Sequence, residues 1–307
     1  MNSRLGDKDM TTSCIAVSAP GDMGHAVGKV LGEHGNDVIT CLAGRSERTR
    51  GLAAKGNFRD VPDLETLVSE ADMILSILPP ANALAQAQDL AAAMKAAGST
   101  AVYVDCNAVS PATAAEVGAV MADAGAPFID CGIIGLAPIP GRSTRFYVSG
   151  PDTAPMVALD GQGITVIDMG ADIGRASGLK MAYAGLTKGT NALYTAVLML
   201  AHRLDLFDDL IGEFEDSQQA ALKRMRGSVP RLPADAGRWV REMEEIAATY
   251  RDAGLPSGFH DASADIFRIL AETPFGAETR ETIDPNRTME QSIPVFVDQA
   301  VKPGPEK

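Results

Sequence analysis

The chain has 307 residues, of which 46% are hydrophobic, and its 40 acidic and 27 basic side chains give a net charge of −13. This hydrophobic content is enough to bury one large core or two ordinary ones, which excludes an intrinsically disordered chain. The negative charge disfavours a nucleic-acid partner, because polyanions are repelled unless one face is locally basic.

The N-terminus and the apolar stretches give no sign of export or of a membrane span. Residues 1–12 contain charges without an apolar run behind them and read as a frayed tail. The apolar segment 181–202 is interrupted by Lys188, Asn191 and two glycines, which leaves it too short to cross a bilayer. We therefore expect a cytoplasmic protein that binds no membrane.

The cysteines are widely spaced and include no CxxC pair: Cys14, Cys41, Cys106 and Cys131. Each lies in or beside an apolar run, which indicates core positions in a reducing compartment and neither a zinc site nor a disulfide framework. Cys106 and Cys131 lie near predicted strand ends, where either one could line a pocket. We expect no metal.

The first half of the chain alternates short apolar runs with helical stretches. The apolar runs are CIAVS, DVITCLA, ADMILSILP, AVYVD and PFIDCGII. Regular alternation predicts parallel strands joined by crossover helices, which is an α/β doubly wound parallel sheet. Glycines at four predicted helix ends are expected to adopt the left-handed conformation that stops a helix: Gly35, Gly56, Gly98 and Gly125.

Two further strand-like runs, TRFYVSG and GITVIDMG, end this pattern near residue 170. From Ser177 onward the periodicity is helical almost to the end, with turn clusters at GSVPRLP and GLPSG. We predict an α/β domain over residues 12–172, an all-α C-terminal domain over residues 173–300 and a disordered tail over residues 301–307.

Residues 15–24, IAVSAPGDMG, combine a buried strand with a glycine turn that is typical of a dinucleotide site. In a GxGxxG turn the first glycine makes the tight turn, the second admits the pyrophosphate and the third lets the helix pack on the strand. Those positions hold Ala19, Gly21 and Gly24, and alanine can serve at the first if its φ stays negative. The pattern predicts a Rossmann-type domain whose cofactor contacts include Ala19, Pro20, Gly21, Asp22, Met23 and Gly24.

The next strand ends in CLAGRSER, where the adenosine ribose of the cofactor should lie. It offers no Asp or Glu for a free 2′-hydroxyl. Instead it offers Arg45, Ser46 and Arg48, and guanidinium groups bind a 2′-phosphate with paired hydrogen bonds. This favours NADP over NAD, although Arg45 and Arg48 could instead be solvated side chains at a helix start.

The turn, LPP at 78–80, VDCNAVSP at 104–111 and GRASGLK at 174–180 occur in an order that resembles the β-hydroxyacid dehydrogenase and 6-phosphogluconate dehydrogenase superfamily. More closely, the chain resembles an incompletely characterised branch with a PGxMG turn and a stretch like EMEEIAATYRDAGLPSGFH. The resemblance covers roughly residues 14–270. It implies hydride transfer between NAD(P) and a carbon bearing a hydroxyl or carbonyl, and a homodimer formed through the helical domain.

The same resemblance implies individual site residues. Leu78, Pro79, Pro80 and Asn107 would lie beside the cofactor, and Ser110 would lie near the substrate. Where relatives have a serine and paired glycines for the substrate, only Gly132 and Gly135 remain, around Ile133 and Ile134. This departure points to a more apolar substrate than a small sugar acid.

The resemblance makes Lys180 the catalytic lysine, a general acid/base for the substrate oxygen. Relatives have Asn or His three residues later, where this chain has Tyr183. On a helix, Lys180, Tyr183, Thr187 and Asn191 share one stripe, so one face can hold the whole site. The alternative is a surface lysine with a buried aliphatic stem.

Several other residues are secondary candidates. Lys188 and His260 are possible substrate contacts, whereas Glu242 and Glu245 share a helix face that we interpret as a solvated acidic flank. Two other functions stay open: imine reduction at the same site, and a regulator that binds NADP without catalysis. Relatives that reduce imines typically lack the lysine, so Lys180 counts against the first of these.

Overall fold

A computed structural model describes residues 13–139 and 141–300. The chain divides into two compact units, Met1–Lys180 and Met181–Lys307. The predicted boundary between residues 172 and 173 precedes the helix that begins at Arg175. The two predicted tails, residues 1–12 and 301–307, lie outside the described residues.

The first unit is built on one sheet, and the strand order through it is β3-β2-β1-β4-β5-β6-β7-β8. All neighbouring strands pair in parallel except β6 and β7, which form an antiparallel hairpin. The strands are β1 (Cys14–Val17), β2 (Asp37–Cys41), β3 (Arg59–Val61), β4 (Met73–Ser76), β5 (Val102–Asp105), β6 (Phe128–Ile134), β7 (Thr144–Ser149) and β8 (Ile164–Asp168).

Helices cover both faces of this sheet, which confirms the predicted doubly wound α/β fold. They are α1 (Asp22–Glu33), α2 (Glu47–Lys55), α3 (Leu64–Glu70), α4 (Ala83–Ala97), α5 (Pro111–Asp123) and the short α6 (Ala154–Val157). Ile15 and Val17 belong to the core on one face, and Ala16 belongs to the core on the other. Burial on both faces explains why the strands read as continuous apolar runs.

The helix-ending glycines were predicted correctly at three of four positions. Gly35, Gly98 and Gly125 have positive φ, but Gly56 has φ −86° and the left-handed residue is Asn57. A Cβ on Gly56 would lie 2.6 Å from the Phe58 ring. Gly56 is therefore required for close packing and not for a left-handed turn.

The long helix α7 (Arg175–Arg203) begins in the first unit, and the second unit is otherwise helical. The remaining helices are α8 (Phe207–Ser217), α9 (Gln219–Ser228), α10 (Pro233–Asp252), α11 (Gly258–Ala271) and α12 (Met289–Ala300). Within residues 13–139 and 141–300, no helix is both long enough and apolar enough to cross a membrane.

The cysteines follow the predicted pattern of core residues. Cys41, Cys106 and Cys131 are buried, and Cys14 is half-buried. Burial raises the pKa of the Cys131 thiol well above its usual value, and burial together with Asp37 raises the pKa of Cys14 to about 11. Thiols held this firmly in the protonated form are poor nucleophiles and poor metal ligands.

Candidate functional site

The site residues predicted in the first unit gather at one edge of the sheet. The order of strands reverses between β1 and β4, whose carboxyl ends carry the glycine turn and the loop 78–80. Arg45 follows β2, Asn107 follows β5 and Gly135 follows β6 at the same edge. In open α/β sheets this is where ligands bind, because the reversal leaves a crevice outside the strand ends.

The glycine turn has the geometry that its sequence predicts. Ala19 keeps a negative φ, since the described non-glycine residues with positive φ are Asn57 and Asp205. A Cβ on Gly24 would lie 2.4 Å from the Ala19 carbonyl oxygen, so only glycine lets α1 pack this closely on β1. Gly21 precedes the first residue of α1, and its N–H donates to the Ala19 carbonyl at 2.8 Å.

The space in front of this turn fits the pyrophosphate of a dinucleotide. Apart from its two chain neighbours, no described residue comes within 4 Å of a Cβ built on Gly21, and the N-terminus of α1 favours negative charge there. Beside the turn, the Ser18 hydroxyl is buried and finds no hydrogen-bond partner among the described residues. The sequence analysis did not single out Ser18. Its position between the last residue of β1, Val17, and the turn residue Ala19 could have identified it as a candidate.

Arg45 and Arg48, which follow β2, both contact residues next to the glycine turn. Arg45 donates through Nη2 to the Ser18 carbonyl at 3.1 Å. Arg48 forms an ion pair with Asp22 at 2.6 Å, with both side chains about half exposed. Ser46 caps α2 by accepting from the Thr49 N–H, so its hydroxyl has a structural role. The carboxylate of Asp22 thus offsets one of the two positive charges.

Asn107 supports the loop that follows β4. Its side-chain oxygen accepts from the Leu78 N–H at 2.8 Å, and its amide nitrogen donates to the Ser76 hydroxyl at 3.0 Å and to Asp105. All of these groups join the ends of β4 and β5 in a buried network. Through Leu78, Asn107 fixes the start of the loop that also contains Pro79 and Pro80.

The remaining polar and apolar candidates at this edge are mostly buried. Ser110 caps α5 by accepting from the Thr113 N–H. Ile133 and Ile134 are almost completely buried in the sheet, which leaves their backbone at the strand end. Gly135 has φ +129°, a conformation that favours glycine where the chain leaves β6.

Lys180 projects from the second turn of α7 onto the end of β6. Its Nζ donates to the Ile133 carbonyl at 2.5 Å, and the residue is partly buried. A Cβ on Gly132 would lie 2.7 Å from the Ala176 carbonyl and 3.0 Å from Lys180 Cβ. Glycine at 132 therefore lets α7 approach β6 closely enough for the ammonium to reach the sheet edge.

A buried carboxylate that the sequence analysis overlooked anchors the same helix. Asp130 on β6 is completely buried and accepts from the Gly174 and Ser177 N–H groups and from the hydroxyls of Ser149 and Ser177. An aspartate inside the apolar run PFIDCGII is unusual, because charged residues are rarely buried without partners. The contrast between Asp130 and its apolar neighbours could have identified this residue from the sequence.

The candidates on the second-unit part of α7 differ in environment. The Tyr183 side chain is exposed, and Asn191 is partly buried. Thr187 returns its hydroxyl to the Tyr183 and Ala184 carbonyls of its own helix. Lys188 is mostly buried, lies 2.7 Å from Glu242 on α10 and sits 5.5 Å from the centre of the Trp239 ring.

The interpretation of Glu242 and Glu245 as a solvated acidic flank is wrong, because both are buried. Glu242 pairs with Lys188 and with Arg238 at 2.6 Å, and Glu245 pairs with Arg241 at 2.9 Å. Each arginine precedes its glutamate by four residues, which places the two on one helix face. The arginine stems and their charges make burial of the carboxylates possible.

His260 lies in the first turn of α11 and is 5% exposed. Its ring packs against Tyr250 at a centroid distance of 4.3 Å and lies next to Gly185, where a Cβ would be 3.3 Å from its Cε1. Its Nδ1 has no partner among the described residues. Burial lowers the pKa of His260, and the neighbouring Asp261 only partly opposes this effect.

Two family models match the chain. The NAD binding domain of 6-phosphogluconate dehydrogenase matches residues 15–155, and a domain of unknown function, DUF1932, matches residues 201–270. An uncharacterised 28.5 kDa protein of Methanothermus fervidus, named for its place in the 7S RNA 5′ region, is 31% identical over 182 residues. That match covers 59% of this chain and 68% of the relative.

Solved structures share the fold. The conserved protein MTH1747, of unknown function and described as structurally similar to 3-hydroxyacid dehydrogenases, is 24% identical with a TM-score of 0.62; the match covers 84% of this chain and 97% of that one. A 3-hydroxyisobutyrate dehydrogenase of Mycobacterium tuberculosis, solved with L-serine, is 18% identical with a TM-score of 0.61. That match covers 85% of this chain and 94% of the dehydrogenase.

Proposed function

This chain belongs to the 6-phosphogluconate dehydrogenase-like family whose NAD-binding domain is accompanied by a DUF1932 domain, and we propose that it is an NADP-dependent oxidoreductase. It would transfer hydride between the nicotinamide and the hydroxyl or carbonyl carbon of a β-hydroxy acid or a related small molecule. One observation carries the proposal: the Lys180 ammonium lies at the end of β6, on the same sheet edge as the glycine turn.

The residues of this edge divide the work. The glycine turn and the N-terminus of α1 would hold the pyrophosphate, and the loop that begins at Leu78 would lie against the nicotinamide. The bound nicotinamide supplies or accepts the hydride. Lys180 would stabilise the charge that develops on the substrate oxygen and exchange a proton with it. Its hydrogen bond to the Ile133 carbonyl orients Nζ before substrate arrives.

The preference for NADP rests on Arg45 and Arg48. Arg45 donates through a single amino group to the Ser18 carbonyl, so the guanidinium stays next to the turn with other donors available for a 2′-phosphate. Arg48 contributes less net charge because Asp22 pairs with it. We assign the 2′-phosphate mainly to Arg45, with Ser46 and Arg48 nearby.

The substrate is expected to be more apolar than a small sugar acid. Leu136 and Ile139, in the segment that follows β6, are exposed. A sugar acid would instead need polar side chains there to bind its several hydroxyl groups. Arg142 and Arg145 are exposed on the same hairpin and could attract a carboxylate. A hydroxy acid with a branched or aliphatic chain has both an apolar part for this surface and a carboxylate for these arginines.

The direct test measures cofactor binding and turnover together. NADPH and NADH are titrated by fluorescence, and a panel of hydroxy acids, keto acids and cyclic imines is screened for absorbance change at the nicotinamide band. We expect tighter binding of NADPH and turnover of a hydroxy or keto acid. Lys180→Ala should abolish turnover and leave NADPH binding intact, whereas Lys29→Ala, on the surface of α1, should change neither.

Each alternative predicts a different result in the same assay. Turnover of imines but not of keto acids would assign the protein to imine reduction. NADPH binding that is insensitive to Lys180→Ala, without turnover of any compound, would indicate a regulator. Tighter binding of NADH than of NADPH would overturn the assignment of the 2′-phosphate to Arg45.

The protein is also expected to form a homodimer through its helical unit. Leu186, Leu193 and Leu200 recur every seventh residue on α7 and are 71%, 48% and 60% exposed. Such a stripe is typical of a helix that packs against another helix. Light scattering should give a dimer mass, and Leu193→Glu together with Leu200→Glu should give a monomer; a wild-type monomer would contradict this expectation.

A further inference from the structure

The buried carboxylate of Asp130 is hydrogen-bonded to Ser177, which lies one helical turn before the proposed catalytic Lys180. We infer that Asp130, with Ser149 and Ser177, is a positioning residue that fixes the Lys180 ammonium at the end of β6. This inference rests on the proposed function only in the role it gives Lys180. Asp130 itself is buried away from solvent and is not expected to touch substrate or cofactor.

The hydrogen bonds around Asp130 join three elements of the first unit. Oδ2 accepts from the Gly174 N–H at 2.9 Å, from the Ser177 N–H at 3.1 Å and from the Ser149 hydroxyl at 3.1 Å. Oδ1 accepts from the Ser177 hydroxyl at 2.6 Å. The Ser149 hydroxyl in turn accepts from the Ala176 N–H at 3.1 Å. Strands β6 and β7 are thus bonded to the first turn of α7.

A carboxylate suits this position for an electrostatic reason. The first N–H groups of a helix have no partner within the helix, and their dipoles concentrate positive potential at its start. Asp130 satisfies those of Gly174 and Ser177 from a neighbouring strand, and its charge is stabilised by that potential. Because the bonds are charge-assisted and shielded from water, they hold the helix more firmly than a surface cap would.

The anchor lies close to both partners of the Lys180 contact. Ser177 precedes Lys180 by three residues, so the two lie on one face of α7. Asp130 precedes Ile133 by three residues on β6, with Gly132 between them allowing the close approach of α7. A shift of the helix start along β6 would therefore change the separation of Lys180 Nζ and the Ile133 carbonyl directly.

The test measures the environment of Lys180 without needing a substrate. Full-length wild type and the variants Asp130→Asn, Ser177→Ala and Ser177→Thr are labelled by reductive methylation at one pH. Peptide mass spectrometry then gives the rate at Lys180 relative to Lys95, which lies in the last turn of α4. We expect Asp130→Asn and Ser177→Ala to change this ratio by about 3- to 10-fold, the effect of losing one hydrogen bond. Ser177→Thr keeps the hydroxyl and should restore the wild-type ratio.

Asp63→Ala provides the control for a general loss of stability. Asp63 caps α3 at the Thr66 N–H, so its removal weakens a helix start without touching α7. The Lys180 ratio should stay at the wild-type value in this variant. The NADPH dissociation constant of Ser177→Ala should remain within about twofold of wild type, since the glycine turn is unchanged.

The outcomes separate this inference from the proposed function. An unchanged Lys180 ratio in Ser177→Ala and in Asp130→Asn overturns the positioning role. If Asp130→Asn does not fold, Ser177→Ala decides alone. Failure of the wild-type protein to bind NADPH or to turn over any compound would refute the oxidoreductase, while the labelling ratios would still support or overturn the role of Asp130.

Discussion

Gly132 on β6 and Lys180 on α7 are in such close contact that a Cβ on the glycine would lie 3.0 Å from the Cβ of the lysine. The Ala176 carbonyl would be closer still, at 2.7 Å, and as backbone it cannot rotate away. The absence of a side chain at position 132 therefore determines how near the ammonium comes to the sheet edge.

Gly132→Ala should displace α7 and lower turnover. We expect kcat to fall by about 10- to 100-fold, since a misplacement of about 1 Å can have this effect, with NADPH affinity unchanged. Stopped-flow and steady-state assays with the best substrate of the panel would measure it. Gly212→Ala on α8 is the control, because no described residue beyond its chain neighbours and nearby helix backbone comes within 4 Å of a Cβ there. Equal kcat values for the two variants would show that the contact has no catalytic importance.

The two glycines of the nucleotide turn should respond differently to the same substitution. The methyl group of Gly21→Ala meets no described residue beyond its chain neighbours, and φ at this position is −79°. The melting temperature should therefore hold while NADPH affinity falls by about tenfold or more. Gly24→Ala would bring a methyl group to 2.4 Å from the Ala19 carbonyl, so both stability and affinity should fall, stability by about 1–3 kcal/mol. Thermal unfolding and fluorescence titration distinguish the two; a shared loss of stability would contradict this division of roles.

The parts of the molecule that were predictable from sequence are those set by local pattern. Alternating apolar and helical runs identified the doubly wound sheet, and the sequence of the turn at Ala19, Gly21 and Gly24 predicted its close packing of α1 on β1. Helix periodicity correctly indicated that residues after Ser177 form helices. Each of these features depends on neighbours within a few positions of the chain.

Features that depend on distant partners were missed or misjudged. Asp130 reads as an anomaly until Gly174, Ser177 and Ser149 are seen around it, 19 or more residues away along the chain. Glu242 reads as solvated until Lys188 is found across the helix pair. The reversal of β7 against β6 is similar, because apolar strand runs carry no sign of their direction. Burial of charge is decided by tertiary contacts, and sequence spacing does not encode them.

Asp22 should oppose cofactor binding. Its carboxylate stands at the first position of α1, where the pyrophosphate is expected, and it pairs with Arg48 at 2.6 Å. Asp22→Asn removes the repulsion and releases the positive charge of Arg48, so NADPH affinity should rise about two- to fivefold, a typical effect of one charge at a helix terminus.

Arg45→Ala should lower the affinity for NADPH and leave the affinity for NADH within about twofold of wild type, because NADH lacks the 2′-phosphate. A parallel loss for both cofactors would place Arg45 elsewhere than at that phosphate.

Lys188 should contribute far more to the free energy of unfolding than Lys29, a surface lysine that also has an acidic partner. Lys188→Met removes a buried cation from Glu242, which is also paired with Arg238, and we expect a loss of about 2 kcal/mol or more in the free energy of unfolding. Lys29→Met breaks a surface pair with Glu33 at 3.9 Å and should change it by less than about 0.5 kcal/mol. Thermal unfolding of both variants measures the contrast.

The double variant Lys188→Met, Glu242→Leu tests the reason for that loss. With both charges replaced by apolar groups, the buried carboxylate that had lost its Lys188 partner is gone, so most of the lost stability should return. A double variant as unstable as Lys188→Met would show that Lys188 stabilises through packing on Trp239 and not through its charge.

His260 should make the protein less stable in mild acid. Burial lowers the pKa of this imidazole in the folded state, whereas the unfolded chain binds a proton near the ordinary value of about 6.5. Its contribution to stability is therefore fully present above about pH 6.5 and is lost as the pH falls toward the lowered value. The pKa of Asp261 is lowered chiefly by the Ser257 hydroxyl, so its contribution to stability is lost only below its ordinary pKa of 3.8. The range from about pH 7 to pH 5 therefore separates the effect of His260 from that of Asp261. In His260→Phe, which keeps a ring against Tyr250, urea unfolding should lose less stability over that range than in wild type. An identical pH dependence in His260→Phe and in wild type would rule out His260 as the source.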